Sequence, residues 1–356
     1  MRALIQLAYF ICFSIFLETC LCKVKHDQVL AITVSSQEHV EKVQNLTSHN
    51  ETALWQPASP NYITTNSEVH LYIQSTSVQF VKEHLREHAI TFRVLVENTA
   101  ALVAMQIRND TSDPRSGGVF YERYHSLEDI YYWINKTSRE HSDMVKVILI
   151  GSSSEKRPLY VLKLSGKREE EVNRAMWMDC DSYCAGVDLN RNFDANWCTK
   201  GASDDPCDPT YCGQFPESEP ETQAVAKFLR SHKDTVKLYL SIHSYSQMLL
   251  FPYSCSYNEI PNHNELFELV KEASTKIRRY YRNNYKYGSG AKTIYLAPGG
   301  SDDWAYDLGI KYSFTFELQD RGQYGFLLPP SFIPQACNEA LLAAKVIALH
   351  VINKTQ

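Results

Sequence analysis

The stretch VKLYLSIHSYS, residues 236–246, is dense in large apolar side chains and closes on His, Ser and Tyr. A run of that length without Gly or Pro predicts a buried strand. IKYSFTFELQD (310–320) repeats the pattern and carries Glu317 near its end. ELFELVKEASTKIRRYY, NEALLAAKVIALHVI and SEPETQAVAKFLRSH space their apolar residues as helices do. LEDIYYWINKTS follows Ser126, a suitable cap, and places Glu128 and Asp129 in the first turn, where acids suit the helix dipole. MVKVILIGS, RPLYVLKLSG and AMWMDC read as further strands. Strands alternating with helices predict an α/β fold, with a mixed, mostly parallel twisted sheet flanked by helices.

In open α/β sheets, functional side chains gather where strands end. That makes His243 a candidate metal ligand and Glu317 a candidate general base. DLNRN offers Asn190 and Arg191, and an Arg fork matches a carboxylate in two parallel hydrogen bonds. TIYLAPGGSDDW offers Tyr295 on a Gly/Pro-rich loop, then Asp302 and Asp303, one of which could face a basic side chain. Taken singly, each also has a plain structural reading: a core His, a salt-bridged acid, a loop Arg, a solvated turn.

The N-terminal third differs. Arg2 followed by the apolar run 3–17 and small residues at Cys20 and Cys22 reads as a signal peptide over 1–22. A secreted protein is expected, and no later stretch reads as a membrane span. Five Asn-x-Ser/Thr sequons, at Asn45, Asn50, Asn109, Asn135 and Asn353, agree with export and surface positions. QVLAITV, EVHLYIQ and ITFRVLVE as strands, with SQEHVEKVQNLT and SVQFVKEHLREHA as helices, predict a small α+β unit of ferredoxin-like type over 23–115. TSDPRSGG (111–118) then makes a polar loop, and such loops are nicking sites. A cut between Arg115 and Ser116 by a trypsin-like protease would separate it from 116–356. The net charge of -5 and the lack of a long basic run argue against nucleic acid as a partner.

Together SIHSYSQ, GVDLNRNF, YCGQFPESEPET, TIYLAPGGSDDW and IKYSFTFELQDRGQYGFLLP resemble the zinc carboxypeptidases of the A/B type, over nearly everything after the signal. HDQVLAI, ALWQP, IRNDTSDPRS and YERYHSLEDIYYWI resemble the plasma B-type enzymes in particular. The resemblance implies a carboxypeptidase-like domain preceded by an activation domain, and a Zn2+ cofactor. It implies His243 as a zinc ligand and Glu317 as the catalytic acid/base. It implies Asn190, Arg191 and Tyr295 as the holders of the substrate's terminal carboxylate, Tyr245 as a substrate contact, and Asp302 as the acid under the specificity pocket. It also implies disulfides Cys184–Cys207 and Cys198–Cys212. Substrates would be peptides or proteins ending in Arg or Lys, and the activating protease would be trypsin-like, such as thrombin.

One departure stands out. The family takes its first two zinc ligands from a His-x-x-Glu just after the strand matching AMWMDC. Here Cys180 is followed by DSYCAGVDLNRNF, with neither His nor Glu between 175 and 193. Against the family pattern roughly seventy residues are absent at this junction, with both ligands and Cys180's disulfide partner among them. HLRE (84–87) and HSLE (125–128) fit the motif but not the place. Two expectations follow: a secreted zymogen of a zinc carboxypeptidase, or an inactive variant that binds without cutting or folds poorly.

Overall fold

The computed structural model describes residues 25–107, 120–164 and 186–355. The signal segment, Asn109, the Arg115–Ser116 bond, Cys180 and Cys184 lie outside the described residues.

Four strands build the first sheet: β1 (Gln28–Val34), β2 (Thr52–Gln56), β3 (Ser67–Ile73) and β4 (Thr91–Val96), in the order β2-β3-β1-β4. The pairings are antiparallel. Helices α1 (Gln37–Thr47) and α2 (Val78–Glu87) supply Val40, Val43, Leu46, Val81 and Leu85 to a shared core with Leu30, Ile32, Leu71 and Ile73. Ser36 caps α1, its Oγ accepting from the His39 N–H at 3.1 Å. The order is the ferredoxin-like one. β2 had no clear strand signal, because it lies at the sheet edge with no fully buried residue. A helix α3 (Thr99–Ile107) follows.

In the second part, α4 (Leu127–Glu140) starts at Ser126, whose Oγ accepts from the Asp129 N–H. β5 (Val145–Ser152) and β6 (Pro158–Leu164) form an antiparallel pair of their own. The main sheet holds β7 (Leu238–Ser244), β8 (Met248–Phe251), β9 (Lys286–Ser289) and β10 (Tyr312–Leu318), ordered β7-β10-β8-β9. It is mixed: β7 runs parallel to β10 and β8 to β9, while β10 and β8 are antiparallel. Helices α6 (His263–Tyr281) and α9 (Ile333–Thr355) cover one face, where Leu266, Val270, Ile277 and Ile347 meet Leu249, Phe251, Phe314 and Phe316. Strand alternation turns Tyr239 the other way, toward α5 (Pro220–His232) and α8 (Ser301–Asp307), whose Leu229 and Trp304 pack with Phe193. A short helix, α7 (Gly290–Thr293), follows β9.

Length and composition would let Pro330–Lys354 cross a membrane, which corrects the reading that no segment after the signal could. The segment's α9 face of Ala343, Ile347 and Val351 is instead part of the core.

Among the described residues β7 has no strand on its outer side, and Ile242 there is 54% exposed. Leu164, at the end of β6, is 74% exposed. Leu164, the last described residue before 186, and Ile242 on the open-edged β7 therefore carry apolar surface facing solvent. α5 still connects the parts, since a Cβ on Gly151 of β5 would lie 2.6 Å from the Cβ of Ala224.

Candidate functional site

The site lies where β7 and β10 end. Their parallel register sets Glu317 opposite His243. Burial pushes the Glu317 carboxyl up to about 7, the nearby Asp302 charge adds to this, and Arg191 opposes it. Burial holds His243 below the usual imidazole range, against the pull of Asp302 and Asp188. The His243 Nε2 lies 2.7 Å from Ser241 Oγ.

Arg191 is brought in by loop chemistry. Asp188 caps a single 3-10 turn, Leu189–Arg191, its Oδ1 accepting from the Asn190 N–H at 2.9 Å. Asn190 Oδ1 accepts from the Ser301 N–H at 3.0 Å, Phe193 N–H donates to Gly299 O, and Gly299 N–H donates to Ala195 O. These bonds zip 190–195 to 299–301. The approach requires glycine, because Gly299 has φ +73° and a Cβ there would sit 2.1 Å from Arg191 O. Arg191 is 4% exposed, and its guanidinium donates to Asn190 O and stands 6.0 Å from the Tyr295 ring centre. Its buried Nε has no partner.

Asp302 and Asp303 open α8, and both are buried. They divide the work. Asp303 accepts from the Ser254 and Cys255 N–H groups, so it anchors a loop. Burial and the Asp302 charge hold its carboxyl well above the usual range. Asp302 Oδ2 is buried without a partner. A buried carboxylate oxygen left open costs free energy, and a bound cation would offset that cost.

The remaining sequence candidates meet the activation domain. Tyr295 stacks on Tyr62, ring centres 5.2 Å apart, and Tyr62 Oη donates to Leu296 O at 2.7 Å. Tyr245 Oη lies 2.8 Å from His70 Nδ1, and the two rings stack within 7° of parallel. His70 Nε2 lies 3.0 Å from Glu68. Trp55 packs on Phe326, which stands edge-on to Tyr245. A cavity of about 670 Å³ lies between the two domains, with Tyr62, Tyr245, Tyr295 and Glu317 in its wall. Tyr62, His70 and Trp55 carried no functional signal in the sequence; the alternation of EVHLYIQ marked His70 only as a strand residue.

A disulfide joins Cys198 to Cys212. Cys207 is disulfide-bonded as well, while its expected pairing with Cys184 lies outside the described residues. Cys255 and Cys337 are free. The acceptor residues Asn45, Asn50, Asn135 and Asn353 are exposed.

A buried Arg fork, an open buried carboxylate and a strand-end His and Glu thus stand together at one end of the main sheet. The chain belongs to the zinc carboxypeptidase family. The family model "Zinc carboxypeptidase" matches 130–183 and 180–343, and "Carboxypeptidase activation peptide" matches 30–106. Carboxypeptidase B2 of Bos taurus is 42% identical, covering 91% of this chain and 93% of that protein. Its human counterpart is 39% identical over 98% and 99%. The crystal structure of thrombin activatable fibrinolysis inhibitor superposes with a TM-score of 0.86, at 40% identity, over 92% of this chain and 99% of that one.

The matches locate the interruption. The bovine comparison runs over 395 columns, yet 91% of 356 residues is about 324, so about 70 columns have no counterpart here. The family model breaks at 180–183.

The family implies Zn2+, and the residues present do not fit it. A catalytic zinc needs three protein ligands. Among the described residues no three His, Cys, Asp or Glu side chains lie close enough to hold a metal ion. Residues 165–185 contain no His to join His243. Neither spare motif helps. His84 lies on α2, in the activation-domain core layer, and His125 Nε2 is 2.6 Å from Phe120 O.

Proposed function

We propose that the protein is a secreted zymogen-like member of the B-type carboxypeptidases, and that its site selects peptides and proteins ending in Lys or Arg. The open, buried Asp302 oxygen carries this reading. Asp302 and Arg191 both act on the Glu317 carboxyl, so one ligand at these strand ends can answer both charges: a terminal carboxylate on the guanidinium, a basic side chain on Asp302. Asn190 and Tyr295 flank the carboxylate position and Tyr245 contacts the substrate. In the hydrolytic form of this reading, Glu317 is the general acid/base and C-terminal Arg or Lys is removed. Trimming fibrin in that way would down-regulate fibrinolysis.

In this proposal the leader 1–22 directs export, and the sequon asparagines carry glycans. Cleavage between Arg115 and Ser116 by a trypsin-like protease such as thrombin releases 23–115 from 116–356. Nucleic acid and membrane are not partners. A second reading is favoured by the donor set around His243: the recognition half persists while hydrolysis is lost.

Trypsin-treated protein is tested against peptides ending in Arg, Lys and Phe. Capture of the basic peptides over the Phe peptide is expected, and equal capture would refute the reading. Mass analysis of the recovered peptides separates the hydrolytic form from the inactive one.

A further inference from the structure

We infer that this chain is a metal-independent receptor for C-terminal Lys or Arg, gated by two aromatic clamps from its activation domain. The inference rests on the specificity proposed above and adds to it the absence of a metal requirement, retention of the ligand uncut, and the gating residues.

The site divides into two halves. The recognition half is complete. Arg191 and Asp302 are both buried, and each has one polar atom without a partner, Nε on the cation and Oδ2 on the anion. Buried polar groups are normally satisfied, so two open atoms on groups of opposite charge, both acting on Glu317 and His243, mark ligand positions. A peptide ending in Lys or Arg presents the complementary pair: a carboxylate and, on the same residue, a cation. Neither contact needs a metal. The zipper through Gly299 and Asn190 already holds both groups in place, so little ordering cost remains on binding.

The hydrolytic half is not complete. His243 Nε2 is engaged with Ser241, and among the described residues no group of three His, Cys, Asp or Glu side chains could hold a metal ion. A peptide seated on Arg191 and Asp302 would therefore stay intact.

The gate is equally specific. The two tyrosines assigned to the ligand are each held by one activation-domain ring. Tyr62 stacks on Tyr295 and fixes the next residue through the Leu296 carbonyl. His70 stacks on Tyr245, with Nδ1 at its hydroxyl and Nε2 at Glu68. While both clamps are closed, Tyr295 packs against Tyr62 and also stands beside the Arg191 guanidinium, so the activation domain holds the carboxylate cradle as well as covering it. Removing either ring loosens the cradle without cleaving the chain.

The test uses the full chain, untreated and after limited trypsin digestion. The probes are a fluorescent peptide ending in Arg, its C-terminal amide, and the same peptide ending in Phe. Anisotropy is read in chelator and in added zinc, and recovered probe is weighed by mass spectrometry. The digested chain should bind the Arg peptide equally in both buffers, leave it intact, and bind the amide at least tenfold more weakly, as loss of a charge-assisted bidentate contact requires. Undigested Tyr62→Ala and His70→Ala chains should each bind the Arg peptide several-fold more tightly than undigested wild type. Binding that needs zinc, no binding after digestion, or recovery of a shortened probe would overturn the receptor. Unchanged affinity in both variants would overturn the gate. Equal binding of the Arg and Phe probes in every buffer would instead sink the specificity proposed above. Arg preference appearing only with zinc would leave that specificity standing and remove this inference.

Discussion

Gly299→Ala is the sharpest structural perturbation available. Gly299 has φ +73°, a conformation that costs an L-residue about 1–2 kcal/mol. The new methyl would also meet the Arg191 carbonyl oxygen at 2.1 Å, its carbon at 2.5 Å and its Cα at 2.9 Å. Those are backbone atoms fixed by the hydrogen bonds of the zipper, so they cannot yield as a flexible side chain would. Forced overlap of this kind adds about 1–3 kcal/mol. The total, about 2–5 kcal/mol, is a large share of a domain's stability. Gly309 supplies the control. Its φ is +114°, yet a Cβ there meets nothing within 4 Å, so Gly309→Ala carries strain without overlap. Urea unfolding of the two variants, at equal slopes, should place the Gly299→Ala midpoint clearly below that of Gly309→Ala. Gly299→Ala should also lose affinity for a C-terminal Arg peptide, because relieving the overlap moves Arg191, while Gly309→Ala should not. If the two variants unfold within about 0.5 kcal/mol of each other, the zipper is not what places Arg191.

Other expectations follow from the same geometry. Asp302→Ala should erase the preference for basic over apolar C-termini, since a buried carboxylate losing its cation costs about 3–5 kcal/mol, several hundredfold in binding; retained preference would move the role to Asp303. Burial pushes the Glu265 carboxyl up, but hydrogen bonds from Lys354, His350 and Tyr312 outweigh this and hold it down at about 2. Because the folded value is depressed, its stabilisation is full above the ordinary Glu range and is lost as pH falls from about 4.5 toward 2. After allowing for solvent screening that is about 1–2 kcal/mol. Glu265→Gln should remove the acid-limb dependence, and an unchanged limb in urea titrations at pH 3 and 6 would refute it. A thiol reagent should label exposed Cys337 before Cys255, whose thiol is pushed up by burial and by Asp303; faster labelling of Cys255 would contradict that environment.

Local pattern carried much of this protein. The apolar runs of 236–246 and 310–320 were legible as strands; β10 is buried as expected, whereas β7 has no fully buried residue, because among the described residues nothing pairs with its outer edge. The shorter β8 and β9 and edge strand β2 were not, since four or five residues with little alternation read equally well as loop. His243 and Glu317 could be picked out as strand-end residues, and the missing His-x-x-Glu could be seen by reading through 175–193, because absence of a residue type is a fact of the sequence itself. Three things were decided by tertiary structure. The first is which aspartate is open: Asp302 and Asp303 are neighbours on one helical turn, and the backbone of Ser254 and Cys255 satisfies Asp303 and leaves Asp302 for a ligand. The second is the place of Arg191, set by a hydrogen-bonded approach of segments about a hundred residues apart that no periodicity encodes. The third is the grip of Tyr62 and His70 on Tyr295 and Tyr245, which depends on how one folded domain docks on another. Sequence spacing reports which face of an element is apolar; it cannot report which distant group that face will meet, because that is fixed by packing after the elements exist.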